Sequence, residues 1–214
     1  MKVSQALIAI AVSTLFSFHL SAQAIAQELP DPAKKNNSVK QLYLDVHHVG
    51  PGKVTVKDVE AAHQKDLAVQ KKYGVNLVKY WVDEKNGDIY CLAEAPDSES
   101  LRKTHADAHG LLPDQINLVT EGEEAAIRGK QNLYLDLHIM GPGKVNAAAV
   151  AGAHLKDLAI QKKHGVNLIN YWVDEKNGTI MCLAQAPNAD SLINTHKAAH
   201  GLLPVTVEEV KQGH

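Results

Sequence analysis

The chain has 214 residues, 45% apolar and 21% charged, proportions of a globular protein that exclude a disordered or collagen-like chain. Twenty-two Lys and Arg against 24 Asp and Glu give a net charge of −2 with no block of one sign, so the basic footprint of a nucleic-acid binder is missing. Against two Phe and two Trp stand 12 His, the side chain that titrates near neutrality and ligates transition metals.

Residues 1–26 read as a secretory signal. Lys2 begins it, an apolar run follows from Ala6 to about Leu20, and small residues from Ser21 to Ala26 offer cleavage after Ala26 or, alternatively, Ala24. The run is short for a membrane span and no Cys adjoins the cleavage region. The mature protein is therefore expected to be periplasmic or secreted and free of the membrane, and residues 27–40 read as a polar arm.

A shift of 91 residues lays 41–119 over 132–210 without a gap, with well over half of the positions identical. The polar stretch 120–131 reads as a linker, and the second repeat extends over 132–214. Within the first copy, Leu42, Leu44 and Val46 alternate with Tyr43, Asp45 and His47, the period of a strand, and Gly50-Pro51-Gly52 stops it. That Gly-Pro-Gly with Lys53 is read as a turn, because its spacing is wrong for a phosphate loop. Thr55 caps a helix that runs to Tyr73-Gly74. Val75 to Val82 and Ile89 to Ala95 are strands joined by an Asn86-Gly87 hairpin. A second helix starts at Asp97 or Ser98 and ends at Gly110, and Gln115 to Val119 is a last strand. The order βαββαβ is the ferredoxin-like fold of the α+β class, with helices on one sheet face. The opposite face, taken to be the one carrying Tyr43, Asp45 and His47, is expected to be covered by the second copy in an intramolecular pseudo-dimer, the protein being a monomer.

Chemistry is carried by histidines. His105 and His109 are four apart on a helix, and His196 and His200 repeat them, so each pair can share a face and reach one ion, or merely satisfy a helix end. His47 with Asp45, and His138 with Asp136, stand side by side on the strand face away from the leucines. His63 and His154 are each followed three residues on by an acid, Asp66 and Asp157, able to orient the ring. Cys91 and Cys182 can be buried thiols, a disulfide or ligands. Tyr80-Trp81 and Tyr171-Trp172 put one ring on each face of the second strand.

Taken together, Asp45-Val46-His47, Ala62-His63 with Asp66 and Gln70, Tyr80-Trp81-Val82-Asp83, Tyr90-Cys91-Leu92 and His105 with Ala108-His109-Gly110 give each copy a resemblance. Asp136-Leu137-His138, His154, Asp157, Gln161, Tyr171-Trp172, Cys182, His196 and His200 repeat the pattern. Each copy resembles a bacterial family of small ferredoxin-like nickel-binding domains of unknown physiological role. The resemblance implies a dimer of such domains and divalent-metal binding, with nickel as the ion. Imidazole-rich sites also suit Cu and Zn. The expected metal ligands are His47, His63, His105, His109 and Asp45, with His138, His154, His196, His200 and Asp136 in the second copy. Two other functions compete: an enzyme of the two-sheet α+β barrel type using an Asp/His pair, and a module for haem or another organic ligand.

Overall fold

The computed structural model describes residues 39–214; the expected signal segment and nearly all of the expected polar arm lie outside the described residues. The first repeat contains β1 (Gln41–His48), α1 (Val56–Val69), β2 (Asn76–Asp83), β3 (Asp88–Ala95), α2 (Ser98–Ala108) and β4 (Gln115–Leu118). After the two-residue β5 (Thr120–Glu121), the second repeat follows with β6 (Asn132–Ile139), α3 (Ala147–Ile160), β7 (Asn167–Asp174), β8 (Thr179–Ala186), α4 (Ala189–Ala199) and β9 (Thr206–Gly213). The ferredoxin-like order is present twice.

Local chemistry explains the boundaries. Thr55 accepts from the Asp58 amide while the Asp58 carboxylate accepts from the Thr55 amide at 2.8 Å, a reciprocal cap that starts α1. Asp97, Asn146 and Asn188 cap the other three helices through side-chain oxygens. One hairpin glycine is obligatory. Gly87 has φ 79°, and a Cβ there would lie 1.9 Å from the Gly50 carbonyl oxygen. The same approach recurs at Gly178 and Gly141, so each β-hairpin is seated on the turn that ends the repeat's first strand.

All nine strands form one sheet in the order β4-β1-β3-β2-β9-β6-β8-β7-β5, with every pairing antiparallel. The two ends of that order, β4 and β5, are consecutive in the chain with only Val119 between them. The sheet therefore closes on itself as a barrel. Its interior is apolar, with Leu44, Val46, Trp81, Tyr90, Leu92 and Val119 meeting Leu135, Ile169, Trp172, Met181, Leu183 and Val210. Trp81 and Trp172 meet there at 4.9 Å between ring centroids. The helices pack outside the barrel, over a second layer that includes Tyr43, Leu77 and Leu101.

Two expectations need correction. The leucine face of β1 does not meet the helices; it fills the barrel, and Tyr43, Asp45 and His47 lie beneath the helices of their own repeat. Alternation separates two faces without saying which partner each meets, and here both are covered. The stretch 120–131 is not a free linker either. Thr120 and Glu121 pair with β7, Gly122 N–H donates to Tyr171 O at 2.9 Å, Ala125 N–H to Ile169 O at 2.7 Å, and Arg128 N–H to Gln185 Oε1 at 2.6 Å. In return β9 continues past its own repeat to pair with β2, Tyr80 opposite Gly213 and Trp81 opposite Gln212. Each repeat thus lends an arm to the other's sheet.

Candidate metal centre

The site is assembled from a strand and two helices. Asp45 and His47 are two apart on β1 and project to the helix side. On α1 the buried residues are Val59, His63 and Asp66, and on α2 they are Leu101, Thr104 and His105, so each helix brings a polar group to the sheet within an apolar stripe. His109 is the C-cap of α2, and Gly110 at φ 80° turns the chain away behind it.

These groups form an alternating chain of imidazoles and carboxylates. His47 Nε2 lies 3.1 Å from Asp45 Oδ1; His105 Nε2 lies 3.2 Å from Asp45 Oδ2, and its Nδ1 lies 3.1 Å from Asp66 Oδ1. Asp66 Oδ2 lies 3.1 Å from His109 Nε2, and His109 Nδ1 accepts from the Leu111 amide at 3.1 Å. That last bond leaves Nε2 as the protonated nitrogen of a neutral His109, donating to Asp66. The second repeat reproduces the chain through His138, Asp136, His196, Asp157 and His200, with every contact at 3.1 Å and Leu202 as the amide donor.

Burial makes the chain electrostatically consequential. Asp45 is fully buried and His105 is 1% exposed. Desolvation opposes a charge on His105, but hydrogen bonds and attraction from Asp45 and Asp66 outweigh it and raise its pKa to about 10. His196 is likewise raised to about 10 against its burial, by Asp136 and Asp157. Burial would raise Asp66, yet His105 and His109 bring it down to about 2. Asp45 and Asp136 are also lowered, against their own desolvation, by the two imidazoles each one faces. Without metal, then, a proton sits on His105 between two carboxylates.

The same groups fit a divalent ion. Asp45 Oδ1, its counterpart Asp136 Oδ1, and His47 Nδ1 are sealed from solvent without a well-aligned hydrogen bond among the described residues, although each aspartate Oδ1 lies 3.1 Å from the imidazole two residues on. Buried polar atoms so poorly paired are costly and call for a ligand. The 3.1–3.2 Å separations are long for charge-assisted hydrogen bonds. They are close to the ~3.0 Å edge between neighbouring ligand atoms of an octahedral ion with ~2.1 Å bonds. Asp45, His47 and His105 form one candidate ligand set and Asp66, His105 and His109 another. His105 belongs to both, one nitrogen to each, so Asp66 on Nδ1 acts as the orienting carboxylate when Nε2 turns to an ion. In the second repeat the sets are Asp136, His138 and Cys182, and Asp157, His196 and His200.

Not every expected ligand joins. His63 packs against Tyr80 with ring centroids 5.0 Å apart and His154 against Tyr171 at 4.8 Å, and neither belongs to a candidate set. Their pKa values are lowered by burial, which favours neutral rings. Asp66 and Asp157, expected to orient those rings, instead orient His105, His109 and their counterparts. The i, i+4, i+7 spacing of Val59, His63 and Asp66 was the available signal that Asp66 faces the sheet. Cys91 and Cys182 are free and buried, which rules out the bridge; burial, then Asp45 or Asp136, pushes each thiol up.

Fold and site together define a single-chain, two-copy α+β barrel with a His/Asp cluster outside the barrel wall in each copy. Residues 43–119 and 134–210 each match the family of nickel responsive proteins described as SCO4226-like, and the chain belongs to that family. The crystal structure of SCO4226 from Streptomyces coelicolor A3(2) is 38% identical, over 36% of this chain and 93% of that one, with a TM-score of 0.34. A haem-binding protein from Thermus thermophilus is 8% identical over 80% of this chain and 92% of its own, with a TM-score of 0.40. An anthrone oxidase-like protein is 11% identical over 81% of this chain and 92% of its own, with a TM-score of 0.43. No curated protein matches the chain.

Proposed function

We propose that the protein is an exported binding protein for a divalent transition metal of the nickel type, with one centre in each repeat. Asp45, His47 and His105 hold the ion in the first, and their equivalents Asp136, His138 and His196 in the second, where His196 Nε2 lies 3.1 Å from Asp136 and the buried Cys182 thiol stands beside the set. Asp66 and Asp157 orient the central imidazoles, and His109 and His200 close the outer end. The observation that carries this reading is the donor set itself: His47 Nε2 and His105 Nε2 converge at 3.1 and 3.2 Å on the two oxygens of the fully buried Asp45. An ion there would replace the proton on His105 Nε2. Export rests on residues 1–26 and the family name supports the metal. A cavity lined by His47, Asp66, His105 and His109 gives the ion a way in.

The test is calorimetric titration of untagged, chelator-treated protein with nickel chloride. Two equivalents per chain are expected, one after Asp45→Asn with His105→Asn, and none when Asp136→Asn and His196→Asn are added. Unchanged stoichiometry in folded variants would place the ions elsewhere.

A further inference from the structure

The cavity beside each metal centre has walls that metal binding does not explain. In the first repeat it measures about 210 Å³ and lies between α1 and the sheet, with Val54, Val59, Ala62 and Ile89 as apolar lining. Its counterpart in the second repeat measures about 140 Å³, lined by Val145, Val150, Ala153, Ile180 and Leu202. Apolar cavities of about 150 Å³ take a benzene-sized molecule, so each has room for one six-membered ring.

The metal centre's own imidazoles and carboxylate line one side of this space, and two further polar groups that the centre does not use also line it. His63 is only 4% exposed, its side chain makes no hydrogen bond among the described residues, and it lines the cavity. Unlike His47 Nδ1, neither of its ring nitrogens is both sealed from solvent and unpartnered. His154 stands in the same place in the second repeat. The second group is a lysine at the mouth. Lys53 folds over the Gly50 turn, Lys144 occupies the corresponding position, and neither forms an ion pair among the described residues. The mouths differ in one respect. Asp58 lines the first beside Lys53, whereas Ala149 stands at that position in the second, where the remaining carboxylate, Asp157, is held by His196 and His200.

We propose that these cavities are a second kind of site, each taking a small organic molecule with a single ring, and that the second repeat selects a ring bearing a carboxylate. The ring lies against the valines and Ile180, His154 meets a polar edge, and Lys144 meets the carboxylate. Few, convergent polar groups in an apolar cleft are the usual composition of a small-molecule site. The first repeat, with Asp58 offsetting Lys53, accepts a neutral ring as readily as an acid.

The probes are 4-fluorobenzoate and the uncharged 4-fluorotoluene, titrated into full-length, metal-depleted protein and followed by fluorine NMR. Using metal-free protein keeps the outcome separate from the nickel reading. Saturable binding of both probes is expected, with 4-fluorobenzoate weakened about five-fold by Lys144→Ala and 4-fluorotoluene unaffected, the scale of one partly exposed ion pair. Ala153→Phe, which fills the second cavity, should remove the lysine-dependent binding. If that variant does not fold, the surface variant Lys144→Ala still decides. Absence of saturation at millimolar probe, or 4-fluorobenzoate binding indifferent to Lys144→Ala, would overturn the proposal.

Discussion

His105 has a carboxylate on each ring nitrogen, and this arrangement sets the pH behaviour of the metal-free protein. A group whose pKa rises from 6.5 to about 10 on folding stabilises fully below about pH 6.5 and loses that contribution as pH climbs through 10. Asp66 acts at the other end: lowered from 3.8 to about 2, it stabilises above about pH 4 and ceases to do so as pH falls through 2. Metal-free protein should therefore be most stable between about pH 4 and 6.5, and lose a few kcal/mol by pH 10. Urea denaturation in chelator at pH 5.5, 8 and 10 measures this, and His105→Leu with His196→Leu should flatten the alkaline loss. Metal binding runs the opposite way. The ion must displace the proton from Nε2, so nickel affinity should rise continuously from pH 6 to pH 9 and proton release should accompany binding in buffers of different ionisation enthalpy. An affinity already level above pH 7 would mean that His105 is not a ligand. The helical and strand histidines were legible as candidates from spacing alone. Their connection through Asp66 was not, because Asp66 lies 39 residues from His105 along the chain and only packing of α1 beside α2 brings them together.

At the scale of elements, the exchanged arms carry more of the structure than their composition suggests. Trp81 Nε1–H donates to Gln212 Oε1 at 2.9 Å, and Trp172 Nε1–H to Glu121 Oε1 at 3.2 Å, so the polar edge of each buried indole is satisfied by the other copy's arm. The next residue in each arm is a glycine against a tyrosine ring. A Cβ on Gly213 would lie 2.1 Å from Tyr80 Cζ, and one on Gly122 would lie 2.3 Å from Tyr171 Cε1. Gly213→Ala is expected to push β9 off β2 and cost about 1–3 kcal/mol, the usual penalty of overpacking, with a red shift of tryptophan emission. Unaltered stability would show that the arm is not seated there. The strands and helices of each repeat were readable within a residue or two, since apolar periodicity and capping residues mark them. The arms were not. Thr120-Glu121-Gly122-Glu123-Glu124 has the composition of a linker, and it joins the sheet through backbone hydrogen bonds that side-chain pattern does not report.

For the whole molecule, barrel closure explains why two copies occur in one chain. Half of the barrel interior, including Leu44, Trp81, Tyr90 and Leu92, would face water if the first repeat stood alone. A fragment ending at Gly122 should therefore form a homodimer or aggregate, whereas residues 39–214 should sediment as a monomer; a monomeric and stable fragment would refute this. The sequence pointed to the pseudo-dimer correctly while assigning its contact to the wrong face. Polar residues at Asp45 and His47 suggested an open surface, but both are buried beneath the helices, where His105 of α2 reaches Asp45.

The continuity of β4 and β5 through Val119 has a further effect. A barrel assembled from two separate chains dissociates once its concentration falls below its dissociation constant, and each half then loses the wall behind its site. Here the partner is always present at the effective concentration set by a covalent connection, so the assembly is indifferent to dilution. A protein built this way keeps both of its candidate centres intact even where it is scarce.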